Sequence, residues 1–281
     1  MTLKRRIWNF YVATIRKIFV NCKYNDSFLN IEIVKNTPLC LVTIAFNNDF
    51  LIEEQIRLVK KHITDSNYIH IVADNSSDKH KREAIKAICT RANILYFSLP
   101  FNWFSKIHKR PSYSHGLAMT WIYHNLIKKI NPIVFGFIDH DIFPIKSYSL
   151  LQKIENQDFY GRLIDRTPDN HHRRLWYLWA GFCFLKFDTV KSLNINFMPC
   201  KADNIYLDTA GSMYISLYSK YNMELLRFSL PVEEKYFRDG NVYHADLLHF
   251  VDADWIHTIN GSNWKKVKGK DDFLRDFLKQ Y

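Results

Sequence analysis

The first regular signal in the chain is an amphipathic repeat at its N-terminus. Leu3, Ile7, Tyr11, Ile15 and Ile18 recur at helical spacing, Trp8, Phe10 and Phe19 widen the stripe, and Lys4, Arg5, Arg6, Arg16 and Lys17 flank it. Such a helix has two expected placements, in an anionic membrane interface or packed on the protein's own domain. From residue 39 the pattern changes. Leu39 to Phe46 is a continuous apolar, β-branched run ending in Asn47-Asn48-Asp49, as in a strand buried on both faces. Ile52, Ile56, Val59 and Ile63 then predict a helix, with Glu53, Glu54, Arg57, Lys60 and Lys61 turned outward. Tyr68 to Ala73 predicts a second strand that ends at Asp74-Asn75-Ser76-Ser77-Asp78. A helix carrying Ala84, Ile85 and Ile88 follows, then a third strand over Ile94 to Leu99. A long aromatic and basic loop, Pro100 to Tyr113, leads to a helix from about Ser114 to Ile130 and a fourth strand, Ile133 to Ile138.

Strands that alternate with helices, each strand a continuous apolar run, predict an α/β fold with a mostly parallel, Rossmann-like sheet and helices on both faces. In such sheets ligands gather beyond the carboxyl ends of the strands. Asn47, Asp74 and Asp139 all stand at such ends. Past Asp141 the alternation decays into strands at Phe159 to Ile164 and Gly181 to Phe187, a helix over Asp208 to Tyr221, and a loop-rich remainder. The C-terminal stretch from Lys265 to Tyr281 returns to an amphipathic theme, with Phe273, Phe277 and Leu278 among lysines. Without repeats or a linker, one domain is expected: a basic amphipathic segment at 1–37, a nucleotide-binding half at 38–145 and an irregular acceptor half at 146–281.

Composition narrows the classes. A chain of 281 residues, 47% hydrophobic and 16% aromatic, has ample material for a core and is not disordered. Its net charge of +11 calls for anionic partners: nucleic acid, phospholipid headgroups or phosphorylated substrates. Five scattered cysteines without a Cys-x-x-Cys pair predict reduced thiols and a cytoplasmic site. No apolar stretch reaches spanning length and no signal peptide is evident, so neither a membrane span nor secretion by that route is expected. Neither a Gly-x-Gly-x-x-Gly after the first strand nor a Gly-x-x-x-x-Gly-Lys-Ser/Thr is found, which argues against dinucleotide dehydrogenases and P-loop enzymes.

Asp139-His140-Asp141 closes the fourth strand. Two carboxylates at i and i+2 on a strand share a face, so both reach one hard divalent cation and leave room for phosphate oxygens. The bland alternative is a solvated turn whose Asp side chains cap free backbone N–H groups.

The segments VTIAFNNDFLIEEQIRLVKK, VADNSSD, SHGLAMTW and FIDHD, in that order over about residues 38 to 145, resemble the family 2-like glycosyltransferases of the GT-A fold. The later pieces WAGFCFLKFD, LDTAGS and WIHTINGSNW resemble the acceptor half of related bacterial enzymes. The resemblance implies transfer of a sugar from a nucleotide-diphosphate donor, with Mn²⁺ or Mg²⁺ held at the Asp-x-Asp motif. By that analogy Asp141 ligates the metal, Asp139 contacts the donor ribose or a metal-bound water beside His140, and His257 is a further ligand candidate with His244 and His249 as competitors. The need for a cation is physical, because the departing nucleoside diphosphate develops negative charge. Asp74 is expected at the base and ribose, with an Asx-turn cap as its other reading, and Asn75, Ser76 and Ser77 shape that turn. Thr43, Ala45 and Asn47 are expected to line the same pocket. His115 and Gly116 fall where the family has a donor-binding loop, although a helix start accounts for both.

An inverting transferase needs a carboxylate to take the acceptor hydroxyl proton. Asp208 is the first choice, against a helix N-cap, with Asp203, Glu233 and Glu234 behind it; the Glu-Asp pair of some relatives is missing. Trp176, Trp179 and Phe182 are either sugar platforms or core. His171, His172, Arg173, Arg174, Lys106, His108, Lys109 and Arg110 either surround donor phosphates or an anionic acceptor, or are solvated loop faces. The acceptor class expected is a glycan or a lipid-linked glycan at the cytoplasmic membrane face, with residues 1–23 as the membrane contact and no specific nucleic acid. Two rivals stand beside this reading: a membrane- or polyanion-binding module with a degenerate site, and a metal-dependent nucleotidyltransferase, which would need a third acidic ligand.

Overall fold

A computed structural model describes residues 3–22, 34–169, 171–230, 232–236, 247–258 and 270–281. His244, residues 259–264 of the WIHTINGSNW segment, residues 265–269 of the C-terminal stretch, residues 23–33 of the N-terminal one and the Lys106 side chain lie outside that description.

The expected alternation is present. Strand β1 (Leu39–Ala45) is followed by helix α2 (Asp49–His62), β2 (Tyr68–Asp74), α3 (Lys79–Arg91) and β3 (Leu95–Ser98), after the N-terminal helix α1 (Leu3–Asn21). Helix α4 (Pro111–Ile122) continues through a π turn to Ile130 and leads into β4 (Val134–Asp139). With β6 (Phe159–Asp165) and β7 (Trp176–Lys186), these strands form a six-stranded sheet in the order β3-β2-β1-β4-β7-β6. The first three pairings are parallel and the last two antiparallel. The fold is therefore mixed α/β on a mostly parallel sheet.

Register aligns the strand ends that matter. Ala45 pairs with Asp74, Ile44 with Asp139 and Asp74 with Ser98, so the carboxyl edges of β1, β2 and β4 finish level. Alternation along β1 sorts its side chains between two faces. Cys40, Val42 and Ile44 pack in the core that contains Leu117 and Trp121 of α4. Leu39 and Leu41 join Val59 of α2 on the other face, and Thr43 falls on that α2 side.

The remainder is more ordered than its sequence pattern predicts. Strands β5 (Ile142–Pro144), β10 (Glu233–Tyr236), β11 (Leu247–Val251) and β12 (Trp255–Thr258) make an antiparallel sheet, ordered β10-β11-β12-β5. Phe143 of β5 and Ile256 of β12 pack it against Leu58 of α2 and Leu274 of the C-terminal helix. A small hairpin pairs β8 (Cys200–Ala202) with β9 (Ile205–Leu207). The helix expected over 208–221 is shorter: helix α5 covers only Ser212–Ser216, because a turn with Ala210 at φ 69° precedes it and the chain breaks at Leu217 before a 3₁₀ turn. Strand β7 begins at Trp176 rather than Gly181, lengthened by its pairing with β6. The last helix, α6, covers Lys270–Leu278.

Helix α1 packs on the domain with part of its stripe only. Ile15 and Phe19 are buried, and Trp8, Tyr11 and Val12 pack against the same core, whereas Leu3, Ile7, Phe10 and Ile18 face outward.

Gly136 shows how tightly the sheet is filled. It pairs with Phe184 across β4 and β7, and a Cβ there would come 1.9 Å from the Phe184 ring. Gly136→Ala should therefore lower stability by about 1–3 kcal/mol through overpacking, read as a lower urea midpoint at unchanged slope. An unchanged midpoint would mean that the Phe184 ring is not held across Gly136.

Candidate active site

Asp139 ends β4 and Ile142 begins β5, so the Asp-x-Asp motif is the hinge between the two sheets. The hinge is held from beneath by one side chain. Gln55 of α2, fully buried, donates from Nε2 to the Asp139 carbonyl at 2.6 Å and to the Ile142 carbonyl at 2.7 Å. Its Oε1 accepts from the Thr43 hydroxyl at 2.6 Å, and Thr43 Oγ1 lies 2.9 Å from His70 Nε2. Because the Thr43 hydroxyl hydrogen points to Gln55, the His70 ring must carry its proton on Nε2. The series His70, Thr43, Gln55 thus ends on the two carbonyls that bracket the motif.

The second sheet completes the cluster. His257 pairs with Ile142 in the β12–β5 ladder, and Thr258 N–H donates to the Asp141 carbonyl at 2.9 Å. This sets His257 Nε2 3.6 Å from Asp141 Oδ1. Asp139, Asp141 and His257 each bring a ligand atom within 4.8 Å of the others. Two carboxylates and an imidazole are a competent donor set for Mn²⁺ or Mg²⁺, with Mn²⁺ the better match to a nitrogen ligand. Burial drives the Asp139 carboxyl up to about 6, with His140 acting the other way. Burial also brings His257 down to about 4, against the pull of Asp141 and helped by His249, Arg162 and Lys270. A ligating imidazole must be neutral, and His257 is neutral at physiological pH. Its Nδ1 is buried and has no hydrogen-bond partner among the described residues.

His115, one turn into α4, approaches from the other side. Its Nε2 lies 3.5 Å from Asp139 Oδ1. Burial lowers it to about 4, and the carboxylates of Asp141 and Asp208 oppose that shift. Asp208 belongs to the same crevice: Thr209 Oγ1 donates to the Ser112 carbonyl at 3.1 Å, which ties the 208–209 turn to the start of α4. The Asp208 carboxylate caps no helix, since α5 has Gly211 at its N-cap and no side-chain cap bond. Tyr206 OH donates to Asp208 Oδ1 at 3.4 Å, and the Asp208 N–H donates to Tyr177 OH at 3.1 Å.

Several residues expected at the donor are buried and bonded within the protein. Thr43 is fully buried and serves Gln55, because strand alternation turns it toward α2. Ala45 is fully buried, and its carbonyl accepts the Asn75 N–H. Asp74 is fully buried and takes its capping role: Oδ1 accepts from Ser76 N–H at 2.8 Å and Oδ2 from Tyr96 OH at 2.9 Å. Gly116 makes a close approach, but to protein: a Cβ there would lie 2.4 Å from the Phe197 carbonyl oxygen.

Asn47, at φ 51°, knots β1 to β2, its Oδ1 accepting from the N–H groups of Ser77 and Asp78. Asn75 bonds Ser114 and Asn102. Asn75 and Ser76 border a cavity of about 300 Å³ beyond β2 and β3, with Lys79, Arg82 and Phe101 on its other walls. His140 is half-buried, with its Nε2 unpartnered among the described residues.

The other candidates divide clearly. Trp176 and Phe182 are core, whereas Trp179 is half-buried with its ring 4.7 Å from that of His257. Asp203 lies beside His171 and Glu233 beside Lys235, while Glu234 pairs with His249, whose ring is 5.6 Å from that of His257. Arg173 stacks on Tyr214, Arg174 pairs with Asp165, His108 meets Tyr11 and Arg110 covers Trp8. Lys109 is an exposed loop residue at φ 48°, and His172 is also exposed.

Two residues escaped the sequence reading. Gln55 sits in a helix whose other signals were ordinary. Gly181 lies inside an apolar run, where a glycine often marks a close approach; a Cβ there would meet Asp139 Oδ2 at 2.3 Å and the Trp179 ring at 2.4 Å.

No protein-family model and no curated protein matches the chain. Solved structures do. The mannosyltransferase Ktr4p from S. cerevisiae aligns with a TM-score of 0.39 and 10% identity over 66% of this chain and 67% of that one. The mannosyltransferase PcManGT from Pyrobaculum calidifontis, in complex with GDP-Man and Mn²⁺, aligns at 0.36 and 11% over 65% and 52%. Glucosyl-3-phosphoglycerate synthase from Mycobacterium tuberculosis, in complex with Mn²⁺, UDP and glucosyl-3-phosphoglycerate, aligns at 0.35 and 13% over 61% and 66%. The similar structures are thus glycosyltransferases of the kind the sequence motifs resemble, but at these scores they lend the site no weight, and its chemistry rests on its own geometry.

Two outcomes follow from the cluster and its brace. Gly181→Ala should push the Asp139 carboxylate aside and weaken Mn²⁺ binding on the order of 10–100-fold by calorimetry, the usual cost of losing support behind a ligand. Unchanged affinity would remove Asp139 from the donor set. Burial holds His70 down at about 3, with Lys60 adding to the effect. Its ordinary value is about 6.5, so between the two the unfolded chain binds the extra proton. Stability is full above about 6.5 and is lost as pH falls toward 3, by up to about 1.4 kcal/mol per pH unit for this group. Urea unfolding of His70→Asn should show a shallower acid slope than wild type. An equal slope would mean that His70 titrates alike in the folded and unfolded states.

Proposed function

We propose that this chain is a metal-dependent glycosyltransferase, one domain with a donor half and an acceptor half, that moves a sugar with inversion from a nucleotide-diphosphate donor to a glycan or lipid-linked acceptor. The observation that carries this reading is the convergence, at the carboxyl edge of a mostly parallel sheet, of Asp139, Asp141 and His257 on one side of His115 and Asp208 on the other.

In this reading Asp139, Asp141 and His257 hold Mn²⁺ or Mg²⁺, which when bound offsets the negative charge that builds on the departing nucleoside diphosphate. The nucleoside extends toward the cavity beside Asn75 and Ser76. Asp208 takes the proton from the acceptor hydroxyl as the acceptor oxygen bonds to the anomeric carbon and the bond from that carbon to the diphosphate breaks. Tyr206 orients the Asp208 carboxylate. His115, neutral near pH 7, stands between the two groups and offers a hydrogen bond without adding a charge. Trp179 forms an aromatic wall beside His257, suited to a sugar ring. The site fits a nucleotidyltransferase less well, because the third member of the cluster is His257 and not a third carboxylate. A cytoplasmic location, peripheral on the membrane, agrees with the free thiols.

The test incubates the protein with a panel of nucleotide-sugars and Mn²⁺ and measures released nucleoside diphosphate. Release should occur with at least one donor and stop on adding EDTA, and Asp141→Ala should lose Mn²⁺-dependent donor binding. Asp208→Asn should keep donor affinity and lose transfer on the order of 10²–10⁴-fold. Salt-sensitive polyanion binding without turnover of any donor would instead support the binding-module reading, and full transfer by Asp208→Asn would reject that residue as base.

A further inference from the structure

Helix α1 has two apolar faces, and the core uses only one of them. Trp8 donates from Nε1 to Tyr113 OH at 3.4 Å, the Arg110 guanidinium sits 4.6 Å from the Trp8 ring, and Tyr11 OH lies 2.6 Å from His108 Nε2. The far end is fastened by Trp121 Nε1 to the Cys22 carbonyl at 3.0 Å and by Asn125 Nδ2 to the Val20 carbonyl at 2.9 Å. The opposite face carries Leu3, Ile7, Phe10 and Ile18, which are 73%, 61%, 75% and 50% exposed. Their spacing puts them on one stripe along the whole helix. Lys4, Arg6 and Lys17 are exposed beside them.

We propose that this outer stripe of α1 is an interfacial anchor that lies on an anionic lipid surface. Large apolar side chains in a row, flanked by cations, match an amphipathic helix whose apolar face enters the headgroup boundary while its lysines and arginine meet lipid phosphates. Charge argues against a second copy of this chain as the occupant. A symmetric contact on the stripe would bring Lys4, Arg6 and Lys17 of two copies together, and like charges across an interface are costly. No helix among the described residues is long and apolar enough to cross the membrane, so the contact is with its surface.

The anchor also constrains the site. The inner face of α1 is fixed to residues 104–113, directly before His115, and the 208–209 turn is fixed to Ser112. A membrane bound by the outer face is therefore separated from the start of α4, and from the 208–209 turn tied to it, by about the thickness of one helix, within reach of a sugar chain carried on a lipid. This consequence for the acceptor rests on the transferase reading; the lipid contact itself does not.

The test sediments the protein with vesicles of phosphatidylcholine alone and of phosphatidylcholine mixed with phosphatidylglycerol, without donor or metal. Wild type should sediment with the anionic vesicles and much less with the neutral ones. The double variant Ile7→Glu/Phe10→Glu should lose binding by roughly tenfold or more, while its thermal midpoint and its nucleoside diphosphate release stay at wild-type level, since both side chains are exposed on the outer face and the contacts of α1 with residues 104–113 are made by Trp8 and Tyr11. Sedimentation of the variant equal to wild type, wild-type binding to neither vesicle, or a wild-type dimer in solution that the substitutions dissociate would each overturn the proposal. Binding without transferase activity would leave the anchor standing and overturn only the catalytic reading.

Discussion

Gln55 gives both of its amide hydrogens to the carbonyls of Asp139 and Ile142, at the first residue of Asp139-His140-Asp141 and just past its last, and the rest of the candidate site depends on that pair of bonds. A strand that ends and restarts within three residues leaves buried carbonyls without ladder partners, and an unpaired buried carbonyl is costly. One amide satisfies both. Its remaining oxygen is satisfied by Thr43, and Thr43 by His70, so the series is saturated at each link apart from His70 Nδ1. A saturated polar network in a core rigidifies what it holds. Here it holds the turn that aims two carboxylates at the crevice.

From that turn the two sheets acquire their separate tasks. The parallel sheet supplies Asp139 and the level strand ends; the antiparallel sheet supplies His257, through a ladder that begins at Ile142. Since β5 starts where the Gln55 bonds end, any shift of the turn would move Asp141 and His257 together. Gly181 does the same service from β7, leaving space for the Asp139 carboxylate that any other side chain would occupy. Each ligand of the proposed cation is thus fixed by an element that does not itself touch the cation.

What could be read from the sequence follows how local the cause is. The parallel strands, α2 and the Asp-x-Asp turn were legible because each is a short run whose pattern declares its burial. Nearness to a strand end points Thr43, Ala45 and Asp74 toward a donor, but strand alternation buries the first two and Asp74 makes the Asx-turn bond that is its other reading. The stripe on α1 was read as one face, although apolar residues surround more than half of that helix and only contact with Tyr113 and His108 selects the inner part. His257 was assigned by resemblance alone; its pairing with Ile142 spans more than a hundred residues and leaves no local trace. The β10–β12 strands were missed for a related reason, since short strands broken by loops carry too few residues to show a period.

Burial acts on the cluster in two opposite senses, and their combination suits it to a cation better than to an ion pair. It raises Asp139 to about 6 and lowers His115 and His257 to about 4, so near pH 7 the imidazoles are neutral while the Asp139 carboxylate is mainly ionised. Neither imidazole therefore brings a positive charge to Asp139, and the nearby cations Arg162 and Lys270 help to keep His257 unprotonated. A carboxylate at Asp139 with neutral nitrogen donors beside it is a negative charge that a divalent ion balances without any proton moving. In the proposed reaction a phosphate-bearing donor adds further negative charge at the same place, which a cation already bound there offsets. The chain's positive net charge favours the approach of such an anion, and the arrangement around Asp139 is where that reading places its diphosphate.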